Sequence, residues 1–258
     1  SNSLEYRKRE LDSSKELPIL QLLKNLGVKD VKLVGGEPTI YHNISSFVKQ
    51  LFDLEFQTTL VTNGRRFSDF EFAKTLKDYG LSNVCFSIEG YDKLSHEKES
   101  CVKGSFDELI RGLENAKRLG FNIASNTTMT TNNNPNLEKI VDFVSNKSEI
   151  ISFNVCVPWF RTCSDSNSLL SPKEGAKTFE RIYIYAKSKG INIKLTTPMP
   201  ICNFTLQNSK LMQQEGALGG ICSIISGQNF VVDYNGDILP CTLFSEFPLF
   251  NIFNEEEI

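Results

Sequence analysis

Val31-Lys32-Leu33-Val34-Gly35-Gly36-Glu37-Pro38 joins a short apolar run to two glycines, a carboxylate and a proline. The run has the composition of a strand. Adjacent glycines let a backbone take conformations that a Cβ forbids, and let a ligand approach it closely. Pro38, with fixed φ and no amide hydrogen, ends the strand. Glu37 is thereby set at the carboxyl end of a strand, where open and barrel-type α/β folds build their sites. A carboxylate on bare backbone suits a cationic amine on a small molecule. The alternative is a strand-to-helix turn whose glycines merely relieve crowding.

The same rhythm extends outward on both sides. Leu17, Ile19, Leu20, Leu22, Leu23 and Leu26 recur at helical spacing before the strand, with Gly27 where a C-cap falls. Further helices are expected over Ile44–Leu54, Asp69–Tyr79, Ser105–Leu119, Leu137–Val144 and Pro172–Lys189. Strands are expected over Thr58–Thr62, Asn83–Ile88, Ile123–Met129, Ile150–Val157 and Ile191–Leu195. Glycines 80, 120 and 190 follow three of the helices, and Ser171-Pro172 opens the last one. Strand–helix alternation implies βαβ units and a parallel sheet. Period alone does not separate a barrel from a doubly wound sheet. Composition shifts near Thr197-Pro198-Met199-Pro200, so residues 1–198 are expected to form the α/β unit and 199–258 a small β-rich extension.

With 258 residues, 40% of them apolar, the chain can build one barrel-sized core. The 28 basic and 31 acidic residues nearly cancel to a net charge of −3, which argues against a nucleic-acid surface. No apolar run approaches the roughly 20 residues of a membrane span, and Ser1 to Glu10 do not read as a signal peptide. Seven cysteines at irregular spacing make a poor disulfide framework, so a cytoplasmic setting is expected, with some thiols in the core or on metal.

Gly35-Gly36-Glu37-Pro38 resembles the GGEP motif of radical S-adenosylmethionine (SAM) enzymes, which grips the SAM amine. Successive strand ends carry the resemblance further. Thr62-Asn63-Gly64 resembles the family's TNG; Ser87-Ile88-Glu89-Gly90 resembles its S-I-D-G, near the SAM ribose and carboxylate. Gly104-Ser105-Phe106-Asp107 resembles the helix start that follows. Asn126 matches a polar position near the ribose or carboxylate, and Asn154-Val155 lies on the strand whose backbone borders the adenine. Each motif alone is also an ordinary turn or strand end; their order over residues 27–195 carries the resemblance. It implies a partial (β/α) barrel. It also implies SAM and a [4Fe-4S] cluster as cofactors, and reductive cleavage of SAM to a 5′-deoxyadenosyl radical. The electron would come from a donor such as flavodoxin or ferredoxin.

Cys222, thirteen residues, Gly236, four residues and Cys241 resemble the opening of the SPASM or Twitch extension, which carries auxiliary iron–sulfur clusters. Asn235-Gly236 is a strong hairpin signal and would fold Cys241 back toward Cys222. Such extensions imply a peptide or protein substrate; a Twitch-type enzyme on a small molecule and a cluster-less, ligand- or peptide-binding relative are the alternatives. The family's CxxxCxxC does not occur in the 258 residues, and Ser100 stands where an arginine is common. The sequence is therefore expected to be a piece lacking the segment that carries the cluster ligands. On its own such a piece would be inactive.

Other residues are ambiguous. His42 either faces the site or caps the next helix, and His96 reads as a solvated residue of a charged loop. Cys85 reads as core packing and Cys101 as a loop thiol. Cys156, Cys163 and Cys202 have no assignment. Trp159-Phe160-Arg161 could line a substrate pocket or plug the barrel end.

Overall fold

A computed structural model describes residues 10–156, 168–219, 222–227 and 229–254. Six parallel strands lie side by side in chain order: β1 Asp30–Leu33, β2 Gln57–Thr62, β3 Asn83–Ser87, β4 Asn122–Met129, β5 Ile150–Val155 and β6 Lys194–Leu195. The sheet curls into a half-barrel with helices on its outer face. These are α1 Ser13–Asn25, α2 Ile44–Asp53, α3 Phe70–Asp78, α4 Lys93–Ser100, α5 Ser105–Arg118, α6 Leu137–Ser145, α7 Pro172–Ser188 and α8 Leu206–Gln214. A short helix, Ser223–Ser226, follows. Strands β7 Val231–Val232, β8 Asp237–Leu239 and β9 Phe250–Asn251 then form a small antiparallel sheet.

Two-residue alternation separates the faces of the large sheet. Leu60, Val84, Phe86, Ile88, Ile123, Ile151, Phe153 and Val155 point to the helices and are buried. Phe67, in the 3₁₀ turn after β2, meets Phe86 and Phe121 edge-on in that core. Burying each such ring is worth about 2–3 kcal/mol. The opposite, inner face carries Lys32, Thr59, Val61, Cys85, Ser87, Ala124, Asn126, Thr128, Ser152 and Asn154, as the parallel register requires.

Local signals set the helix ends. Asp69 caps α3 by accepting the amides of Glu71 and Phe72, and Ser171 and Glu174 cap α7 reciprocally. Gly27, Gly80, Gly120 and Gly190 all adopt the left-handed conformation that a helix C-terminus favours. Gly236, also left-handed, closes the β7–β8 turn, where Asp233 accepts the amides of Asn235 and Asp237.

Several expectations need correction. His96 is no solvated loop residue: it sits in α4 and is 4% exposed. Cys85 lies on the inner face rather than in the helix-side core, because Phe86 takes that side. Of Ile191–Leu195, Lys194 and Leu195 alone pair as strand. Helix α8 carries no strong apolar stripe and is missed by periodicity, yet Phe204, Met212 and Ala217 join the barrel core. Trp159, Phe160, Arg161 and Cys163 lie outside the described residues.

A second core joins distant parts of the chain. Ile19, Leu20 and Leu23 of α1 pack with Leu51, Phe56, Ile238 and Ile252, and Val31 and Leu33 lie against them. The small sheet thereby helps to cover the flank beside β1, the edge strand of the large sheet.

Helix α5 meets the β2 turn at one tight point. A Cβ on Gly112 would lie 2.4 Å from the carbonyl oxygen of Gly64. Gly112→Ala is expected to destabilise the fold by about 2 kcal/mol through overpacking, although alanine is the better helix former by about 1 kcal/mol. Urea unfolding of the variant measures this; an equal or higher midpoint would refute the contact.

Candidate active site

The site grows from the carboxyl ends of β1 to β5. After β1 the chain turns through Gly35 and Gly36, and Glu37 caps the short 3₁₀ helix Pro38–Ile40. Neither glycine has a positive φ, and a Cβ at either would meet nothing within 4 Å. Neither turn geometry nor crowding therefore explains the pair. The space over this backbone is open, and side chains would fill it. This is the fit expected for a ligand seated against bare backbone.

Glu37 is held more firmly than the sequence implies. Its Oε1 accepts from the Thr39 amide at 3.1 Å, the Thr39 hydroxyl at 2.6 Å and the Thr62 hydroxyl at 2.7 Å. Its Oε2 accepts from the Asn63 amide at 2.7 Å. The carboxylate thus ties the end of β1 to the end of β2. About four acceptor directions exist on a carboxylate, so what remains for an incoming amine is on Oε2. Asn63 in turn receives the Arg65 amide on its side-chain oxygen. The Arg65 guanidinium is bonded to Glu108, and that of Arg66 to the Thr39 carbonyl, stacking on Phe72.

Glu89 repeats the arrangement between β3 and β4. Its carboxylate accepts from the Thr128 amide at 2.9 Å. Burial pushes its pKa up to about 7; the Thr128 bond opposes this and neighbouring Glu99 adds to it. One oxygen of Glu99 is itself buried without a partner. The Glu89 amide donates to Nδ1 of His96, whose pKa burial holds below the ordinary histidine value. A Cβ on Gly90 would lie 2.3 Å from the His96 amide nitrogen, so the strand end is seated tightly on α4.

Ser87 and Asn126 are register partners on the inner face. Asn126 donates to Asn154 at 2.7 Å; Thr128 also donates to Asn154, at 3.2 Å, and Ser152 to Asn126. The sheet therefore brings Asn126 and Asn154 into one polar pair. Val155 differs: its side chain faces α7 against Gly175, and its amide donates to Thr197. His42 is exposed and paired with Glu10.

Cys222 and Cys241 are free, half-buried thiols. Among the described residues no group of three or more His, Cys, Asp or Glu could hold a metal ion. The described residues thus do not compose an auxiliary cluster site. Ligands for the family's four-iron cluster are likewise not among them. Among the described residues, no helix is long and apolar enough to cross a membrane.

The raised pKa of Glu89 has a definite sign. Its folded value, about 7, lies above the ordinary 4.5. The fold thus favours the protonated acid, and that stabilisation is lost as pH rises from about 4.5 through 7. Glu89→Gln removes the effect. The variant's stability relative to wild type is expected to gain roughly 2–3 kcal/mol between pH 4 and pH 8. Parallel urea titrations that show no pH-dependent difference would refute it.

Comparison with known proteins agrees with this geometry. The family model for the Radical SAM superfamily matches residues 2–144. The probable GTP 3′,8-cyclase of Methanopyrus kandleri is 26% identical over 201 residues, covering 74% of this chain and 64% of that protein. The GTP 3′,8-cyclase of Nautilia profundicola is 32% identical over 139 residues, covering 52% and 42%. The chain thus spans less than two thirds of the length of these relatives. Among solved structures, native anSMEcpe with bound AdoMet and Kp18Cys peptide superposes with a TM-score of 0.72 at 20% identity, covering 96% of this chain and 71% of that one. SuiB of Streptococcus suis bound to S-adenosylmethionine gives 0.69 at 19% identity, covering 90% and 53%. These two likenesses establish the half-barrel fold. With more than half of its length matched by the family model, the chain belongs to the radical SAM superfamily.

Proposed function

We propose that the protein containing this chain is a radical SAM enzyme that modifies a peptide or protein substrate. The observation that carries the first part is the Gly35-Gly36 backbone, which no local constraint requires to be glycine, beside a carboxylate locked at the strand end. When bound, SAM and the family's four-iron cluster supply a 5′-deoxyadenosyl radical on one-electron reduction. The electron is drawn from a donor such as flavodoxin or ferredoxin.

The chain's own contribution is orientation. Bare backbone at Gly35 and Gly36, with the remaining acceptor on Glu37, receives the SAM amine. Ser87 and Glu89 face the ribose or carboxylate. Asn126 and Asn154, already hydrogen-bonded to each other, act as one subsite. Glu89, poised near pH 7, offers an acceptor to a ribose hydroxyl when ionised. Cys222 and Cys241 are proposed as ligands of an auxiliary cluster whose remaining ligands come from elsewhere in the protein.

The peptide reading is supported by the peptide-bound structural neighbours anSMEcpe and SuiB, with an inner face whose serines, threonines and asparagines offer both donors and acceptors. A nucleotide reading is favoured by the GTP 3′,8-cyclase relatives. GTP itself discriminates. A new nucleotide product, formed while the reconstituted full-length protein cleaves SAM, would replace the peptide reading; unchanged GTP leaves it standing.

Gly36→Ala tests the SAM site. Its stability is expected to stay within about 0.5 kcal/mol of wild type, as for an unencumbered surface change. SAM binding measured by calorimetry on the anaerobic, full-length protein is expected to weaken about tenfold, a loss of roughly 1.4 kcal/mol. Undiminished binding would refute the assignment.

A further inference from the structure

The geometry points to Glu16 as a positioning residue that holds the Gly35–Glu37 turn in its ligand-binding shape. This inference rests on the reading of that turn as the SAM site. Glu16 lies in the first turn of α1 and is wholly buried. No described cation pairs with it. It accepts instead from three neutral groups: the Tyr41 hydroxyl, the Asn43 side-chain amide at 2.9 Å to both oxygens, and the Gln50 amide at 2.7 Å. Burial, with the Glu16 carboxylate adding to it, keeps the Tyr41 phenol well above its ordinary pKa.

A buried carboxylate without a cation is poor value for stability, since apolar replacements of buried ionic groups are often neutral or better. The amino-terminal end of α1 offsets part of the cost. What the carboxylate does achieve follows from where its donors stand. Tyr41 and Asn43 close the turn that Glu37 opens, and Gln50 belongs to α2. The Tyr41 amide returns to the Pro38 carbonyl at 3.1 Å. Between them Thr39, wholly buried, donates its amide and hydroxyl to Glu37, while its carbonyl receives Arg66. Hydrogen bonds and a five-residue turn thus connect Glu16 to Glu37. Apolar substitution would strand three donors and release the far end of that turn.

The test uses Glu16→Gln, which keeps the volume and removes the charge, in the full-length protein. Hydrogen exchange is read first, without SAM. The amides of Thr39, Ile40 and Tyr41, hydrogen-bonded within the turn, are expected to exchange about tenfold faster than in wild type, while those of β3 and β4 hold their rates. Calorimetry with SAM is expected to show about tenfold weaker binding, with the cleavage rate at saturating SAM unchanged. Exchange and affinity both within twofold of wild type would overturn the role. If Glu16→Gln does not fold, Gln50→Met, which removes one donor, is expected to show the same pattern at about threefold; no change there overturns it equally. Wild-type protein that binds no SAM would sink the functional reading instead, and the exchange data would still decide whether Glu16 holds the turn.

Discussion

A parallel sheet leaves backbone amides without ladder partners wherever the chain runs past the end of a neighbouring strand, and a site built there must satisfy them by other means. Here two carboxylates do so. Glu37 reaches from the end of β1 to the Asn63 amide beyond β2, and Glu89 from the end of β3 to the Thr128 amide within β4. Each bond is charge-assisted when the acid is ionised and spans neighbouring strands. These bonds add to the ladder below them in fixing the mouth of the half-barrel. Under the proposed function the same two residues meet the ligand. In that reading, holding the strand ends and holding the ligand fall to one set of atoms, which leaves Glu37 little freedom to move on binding.

The neutral polar pairs on β4 and β5, next to Glu89, extend this logic. Asn126 and Asn154 satisfy each other across β4 and β5, with Thr128 and Ser152 completing their partners. Polar groups arranged before any ligand arrives lower the ordering cost of binding. Buried His96 accepts the Glu89 amide on its Nδ1, and the absent Cβ of Gly90 lets α4 approach closely enough for that contact. Pre-organisation at this mouth thus has visible physical sources.

What could be read from the sequence follows the range of each signal. Strand–helix alternation, the glycine C-caps and the Ser171 cap depend on neighbours a few residues apart, and the structure has them. Strand-end residues from Glu37 to Asn154 could be named because parallel order puts successive strand ends on one rim. Helix α4 escaped because it buries little besides His96, so its apolar stripe is nearly absent. The facing of Cys85 escaped because alternation gives two faces without saying which meets the helices, and inner-face Val61 and Ala124 are apolar too. The structural tie made by Glu37 escaped because its partners at Thr62 and Asn63 are about 25 residues away. Glu16 had no motif at all; a lone acid in an apolar helix face was its one signal.

The second core has a consequence for how the molecule is made. Ile19 and Leu23 of α1 are buried against Ile238 and Ile252, more than 200 residues further along the chain. Contacts of such separation form late, because a long loop must close before they give any return. The half-barrel can assemble strand by strand, whereas the packing of α1 with Ile238 and Ile252 can form only after β8 and the residues that follow it have left the ribosome. Among the described residues the small sheet is thus the last part to reach the flank beside β1, and it serves the packing of α1 as directly as it serves its own.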